Sequence, residues 1–133
     1  MSGFLDTNMV VRYLIGDPPV LAVQAARIID AVEDLQITDG VLAETAYVLQ
    51  SFYRVPREEV VDDLVSLIQK GNVTPYALDK SLTIQGLLMC RPSGRVSFAA
   101  ALLWAAVRSS GSNVAYSQDR RFPADGIVVR QTP

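Results

Sequence analysis

Residues 3–16 read GFLDTNMVVRYLIG, and the fold class turns on them. "GFLD" is short, apolar and closed by an acid, the pattern of a buried strand ending at Asp6. "TNMVVRYLIG" follows with Thr7 or Asn8 as a helix cap and Gly16 as a stop. A strand that passes directly into a helix is one β–α unit, and the rest of the chain decides whether it is repeated.

It is repeated. "DPPVLAVQAARIIDAVED" predicts a helix with Asp17 as cap and Pro18 at its first position, and Leu21, Ala25, Ile28, Ile29 and Val32 form one apolar stripe. "LQIT" reads as a second strand. "DGVLAETAYVLQSFY" predicts a helix capped by Asp39, and Pro56 to Gly71 another. "NVTPY" is extended, and "ALDKSLTIQGLLMCR" is a helix broken by Pro92 and Gly94. "RVSFAAALLWAAVRSSG", residues 95–111, is an alanine-rich helix, followed by the short strands "NVAYS" and "GIVVR". Short strands alternating with helices give an α/β fold with a mostly parallel sheet, expected as one domain over residues 1–133. Such sheets bind ligands at the carboxyl ends of their strands. That rule makes Asp6 and Asp119, each just past a strand, expected neighbours.

Composition narrows the chemistry. The 133 residues are 50% hydrophobic, enough for a core without staples, and the single cysteine, Cys90, forms no internal disulfide. There is no histidine, which removes imidazole acid–base catalysis, histidine-dependent triads and any Cys/His zinc cage. Carboxylates, hydroxyls, Lys/Arg or a metal held by oxygen remain. No segment reaches membrane-spanning length, and "MSGFLDTN" lacks the basic start of a signal peptide, so a cytoplasmic protein with no membrane partner is expected. The net charge of −2 gives no global basic signal for nucleic acid. Basic charge is nearly all arginine, ten residues against Lys70 and Lys80; scattered arginines could rim a phosphate site. Tyr13, Tyr47 and Tyr53 read as core or interface.

Among the acids, Asp6 is either a turn or cap residue or a strand-end site residue. Glu44, in "VLAETAYVL", falls between Val41 and Val48 on a helical wheel, at the rim of the buried face, where a carboxylate costs energy unless paired or bound to a cation. Asp119, in "YSQDRRF", alone reads as a turn residue paired with Arg120 or Arg121. Glu58, Glu59, Asp62 and Asp63 start a helix where negative charge suits the dipole, and form a solvated face.

"FLDTNMVVRYLIGDPP", "VLAETAYVL" and "VAYSQDRRF", in this order and spacing, resemble the PIN domain over the whole chain, closest to the VapC ribonuclease toxins of VapBC toxin–antitoxin pairs. The resemblance implies a three-layer α/β domain with a central, mostly parallel sheet of four to five short strands flanked by helices. It implies a Mg²⁺- or Mn²⁺-dependent endoribonuclease acting on RNA, silenced by an antitoxin and commonly homodimeric, with the helix carrying Trp104 as a candidate contact. By resemblance Asp6 is the central metal ligand and catalytic acid, Glu44 the second acid and Asp119 the third. Thr7, Asn8, Ser97 and Ser117 support them. The oxygen donors suit hard cations, which need neither histidine nor cysteine and relieve carboxylate repulsion.

One departure stands out. PIN domains usually carry acids in a pattern like Asp-Phe-x-Asp at the start of the helix that here begins Ser97-Phe98-Ala99-Ala100. Ala100 occupies the place of the principal acid. Ser97 can cap the helix but adds no charge. A site one acid short implies weakened metal affinity and lowered cleavage. The alternative is a degenerate PIN domain that binds RNA or a protein partner without cutting; a further one is an interaction domain whose acids are only caps and turns.

Overall fold

The computed structural model describes residues 2–133. The elements run β1 (Ser2–Phe4), α1 (Thr7–Ile15), α2 (Pro19–Ala31), β2 (Asp34–Ile37), α3 (Asp39–Ser51), α4 (Arg57–Gln69), β3 (Val73–Pro75), α5 (Lys80–Met89), α6 (Phe98–Ser109), β4 (Val114–Tyr116) and β5 (Val128–Arg130). The expected α/β class is present, with every strand pairing parallel. The five strands are distributed over two ladders, β1-β2-β3 and β4-β5.

Several helix starts differ from the sequence expectation by one residue. Asp6, not Thr7 or Asn8, caps α1: its carboxylate accepts the Thr7 N–H at 2.8 Å. Gly16 ends α1 in the left-handed region at φ 79°, where glycine is unstrained. Helix α2 begins at Pro19, with Pro18 extended in the cap position. A residue followed by proline is driven out of the helical region, so Pro18 cannot open the helix. Thr38, not Asp39, caps α3, accepting the Val41 N–H at 3.2 Å. Asp39 is then the first helical residue, where its charge suits the dipole. Ser97 caps α6 as expected, its Oγ accepting the Ala100 N–H at 3.1 Å.

The strands alternate strictly. Leu35, Ile37, Val73, Pro75 and Ala115 point into the core, while Asp34, Thr74 and Tyr116 are exposed. The larger apolar cluster joins these inward residues of β2 and β3 to α1, α3 and α4 and to the first turns of α6, through Phe98, Ala101 and Leu102. A smaller cluster joins Trp104 and Ala105 of α6 to Ala115, Phe122 and Ile127. Each large side chain so buried contributes about 1.5–3 kcal/mol. Helix α5 crosses α6 closely at Gly86, where a Cβ would lie 2.8 Å from the Ala101 carbonyl oxygen.

Trp104 does not offer the expected intermolecular contact. It is 1% exposed, and its indole N–H donates to the Asp125 carbonyl at 2.8 Å. A buried indole requires such an acceptor. Leu103 is the residue of this stretch that turns outward. Tyr47 and Tyr53 are exposed as well, while Tyr13 is half-buried and donates to Asp30. In the acidic start of α4, Glu58, Glu59 and Asp62 are solvated, as expected. Asp63 is half-buried, and burial, then Glu59 and Asp62, raise its pKa.

Candidate functional site

Strand β1 delivers Asp6 to the start of α1. Leu5 continues the β1–β2 ladder by donating to the Gln36 carbonyl at 2.9 Å, and the chain stays extended through Asp6 before the helix begins. Asp6 and Asn8 are exposed and Thr7 is buried between them. One Asp6 carboxylate oxygen is committed to the cap.

Helix α3 packs on α1. A cleft of about 260 Å³ between them is lined by Asn8, Val11 and Arg12 from α1 and by Val48 and Phe52 from α3. Glu44 lies one turn before Val48, and residues four apart share a helix face. Neither Glu44 nor Asp6 lines this cleft. Glu44 itself is exposed, although Thr45 and Ala46 beside it are fully buried. The burial penalty read from the helical wheel does not apply: the side chain clears the rim and reaches water. Thr45 carries the buried anomaly of this helix, with a hydroxyl that has no hydrogen-bond partner.

Asp119 lies in the turn after β4. Ser117 Oγ accepts the Asp119 N–H at 3.1 Å, and Asp119 Oδ1 accepts the Arg121 N–H at 2.9 Å. The Arg121 guanidinium approaches the same oxygen at 3.7 Å. Ser117 thus shapes the turn that presents Asp119, and the ion pair anticipated from "DRR" is made with Arg121.

At the start of α6, Ser97 is exposed and its hydroxyl is used in capping. Ala100 is half-buried against the smaller apolar cluster. A shallow cleft of about 270 Å³ runs between α3 and α6 past Tyr47, Gln50, Ser97 and Ala99.

Arg57 was not singled out in the sequence. Its guanidinium donates from Nε to the Cys90 carbonyl and from Nη2 to the Val96 carbonyl, the latter at 2.6 Å, and it covers the Phe98 ring at 4.8 Å. One arginine at the start of α4 therefore ties down the loop that leads into α6. Its partners lie 33 and 39 residues away, so no local spacing announces the role.

Among the described residues, no group of three or more His, Cys, Asp or Glu side chains is gathered closely enough to hold a metal ion. The acids do not form a closed cage. Their chemistry still suits a hard cation, since Mg²⁺ is commonly held by one or two carboxylates, with waters and substrate phosphates completing the shell. Asp6 and Glu44 are both exposed, and so open to a cation held in that sparser way.

Parallel β–α units with an acid just past the end of β1 define an α/β domain. The PIN domain model matches residues 3–125, and the chain belongs to the PIN domain family. No significant match was found among curated proteins or among solved structures. No helix is long and apolar enough to cross a membrane among the described residues.

Proposed function

We propose that this protein is a VapC-like endoribonuclease toxin of lowered activity, cleaving RNA phosphodiester bonds with Mg²⁺ or Mn²⁺ in the cytoplasm. What supports the reading is membership of the PIN domain family together with the packing of α3, which bears Glu44, on α1, which Asp6 caps. Asp6 and Glu44 would hold the cation, with Asp119 as the third acid. When bound, the cation supplies water activation and stabilises charge on the attacked phosphate. Thr7 and Asn8 orient Asp6 and its solvent, and Ser117 sets the Asp119 turn. Ser97 closes the α6 end where the missing acid would stand. A cognate antitoxin and a homodimer belong to this reading.

A second reading is a PIN domain that binds RNA or a protein partner without cutting. It is favoured by the arrangement at α6: Ala100 brings no charge and the Ser97 hydroxyl is already engaged. One experiment separates the two. Purified protein and an Asp6→Asn variant are incubated with RNA and Mg²⁺ or Mn²⁺. Metal-dependent cleavage lost in the variant supports the nuclease. RNA or partner binding without cleavage by the wild type supports the second reading.

A further inference from the structure

The Arg57 clamp leaves part of its guanidinium unused. Nε and Nη2 are spent on the Cys90 and Val96 carbonyls. The third nitrogen, Nη1, makes no hydrogen bond among the described residues, so both of its N–H donors are free. None of the ion pairs among the described residues involves Arg57. The side chain is half-buried. A guanidinium partly withdrawn from water, with carbonyls but no carboxylate beside it, keeps an uncompensated charge that an anion would match.

That charge borders a cleft. The space of about 270 Å³ between α3 and α6 is lined by Arg57 together with Tyr47, Gln50, Gly94 and Ala99, and no Asp or Glu is among its lining residues. Gly94 leaves Nη1 uncovered: a Cβ there would stand 4.0 Å from that nitrogen. The start of α6 adds potential of the same sign. Arg95, the residue after Gly94, is exposed and belongs to no ion pair. On the α3 side the Tyr47 ring is 68% exposed.

We propose that this cleft holds one nucleotide of a single-stranded RNA, its phosphate on Arg57 Nη1 and its base against the Tyr47 ring. The charge selects an anion, and the ring selects among anions. A carboxylate of an acidic peptide would satisfy the arginine but leave the ring idle, whereas every base has a flat face to stack on it. Gln50 adds an amide that can donate to or accept from a base edge. The strand is the RNA of the reading above, and its cleavage rests on that reading; the grip on the nucleotide does not depend on cutting.

The test is fluorescence anisotropy with the full chain, fluorescein-labelled oligouridine and EDTA to prevent cutting. Gly94→Asp sets a carboxylate against Nη1 while the clamp stays in place, and Gly94→Asn has the same shape without the charge. Gly94 lies outside the left-handed region, so neither change strains the backbone. Gly94→Asp should weaken binding about tenfold, and Gly94→Asn should bind nearly like the wild type. Tyr47→Ala should weaken binding about tenfold, and Tyr47→Phe should match the wild type. Arg95→Gln should reduce the salt dependence by about one phosphate contact. Unlabelled oligoglutamate should not displace the oligomer. Circular-dichroism melts verify that each pair of variants is equally folded; if Gly94→Asp does not fold, the Tyr47 pair and the oligoglutamate competition decide. The proposal is overturned if the wild type binds no oligouridine, if Gly94→Asp binds as tightly as Gly94→Asn, or if Tyr47→Ala binds as tightly as the wild type. It is also overturned if oligoglutamate competes as well as unlabelled oligouridine. A wild type that binds in this pattern but cuts nothing when Mg²⁺ is restored supports the cleft and removes only the nuclease reading.

Discussion

Ala100→Asp places a carboxylate where the proposed metal site lacks one, and the structure sets its cost. Position 100 is the third residue of α6, with its N–H already accepted by Ser97. A carboxylate in the first helical turn gains about 0.3–1 kcal/mol from the dipole. Replacing alanine by aspartate in a helix loses about 0.5–0.7 kcal/mol. The two nearly cancel, and the half-buried site adds a desolvation cost, so the variant should stay within about 1 kcal/mol of the wild type. For a chain of this size that is about 4 °C in Tm. The gain appears with metal. At about 10 mM Mg²⁺, some 100 times a dissociation constant of about 0.1 mM, binding would stabilise the folded state by about 2.7 kcal/mol, or about 10 °C. Trp104, the single and fully buried tryptophan, reports the melt in both proteins with and without Mg²⁺. The wild type should shift less than Ala100→Asp, RNA cleavage should rise in the variant, and Asp6→Asn added to it should erase both effects. A variant that melts like the wild type, yet gains neither a Mg²⁺-dependent shift nor cleavage, would refute the metal-site reasoning.

Other substitutions test the frame around the site. Gly86→Ala gains up to about 1 kcal/mol of helix propensity but drives a Cβ to 2.8 Å from a backbone oxygen that cannot move aside, so urea denaturation should show a net loss of about 1–2 kcal/mol. Arg57→Lys keeps the charge and loses the planar fork, and should free residues 91–97, read as faster hydrogen exchange there, with about 2 kcal/mol lost. Burial pushes the Cys90 thiol from the ordinary 9.0 up to about 11. Its folded form thus holds the proton longer than the unfolded chain does. That contribution is complete below pH 9 and disappears between pH 9 and about 11, a fall in Tm that Cys90→Ala should lack. Trp104→Phe removes the donor to Asp125 and should cost about 1–3 kcal/mol in the same denaturation assay.

The β–α handover at Asp6 and the Ser97 cap were legible because both depend on residues within three positions of each other. Caps at Thr38 and Pro18 were missed by one residue, since "TDG" and "DPP" each offer adjacent candidates that only backbone geometry separates. The orientation of α6 could not be read: "ALLWAAV" is apolar on every side, so nothing local says that Leu103 faces water and Trp104 the core. Glu44 was correctly placed beside the apolar stripe, but its side chain ends in solvent. The Arg57 clamp lay beyond reach, because it joins residues more than thirty positions apart.

Helix α6 has residues in both apolar clusters, and the smaller one is built around Trp104 and Ala105. That arrangement allows a partial opening in which β4, β5 and their connecting turn detach while the larger cluster stays folded. Asp119 would leave with the detached part, and Asp6 and Glu44 would remain. On the proposed metal site, Asp119 would then be present only for the fraction of time that the smaller cluster is closed, and metal retention would follow the exchange rate of the β4–β5 amides. A ligand that clamps this unit shut could raise activity without touching an acid, and one that props it open could silence the protein from a distance.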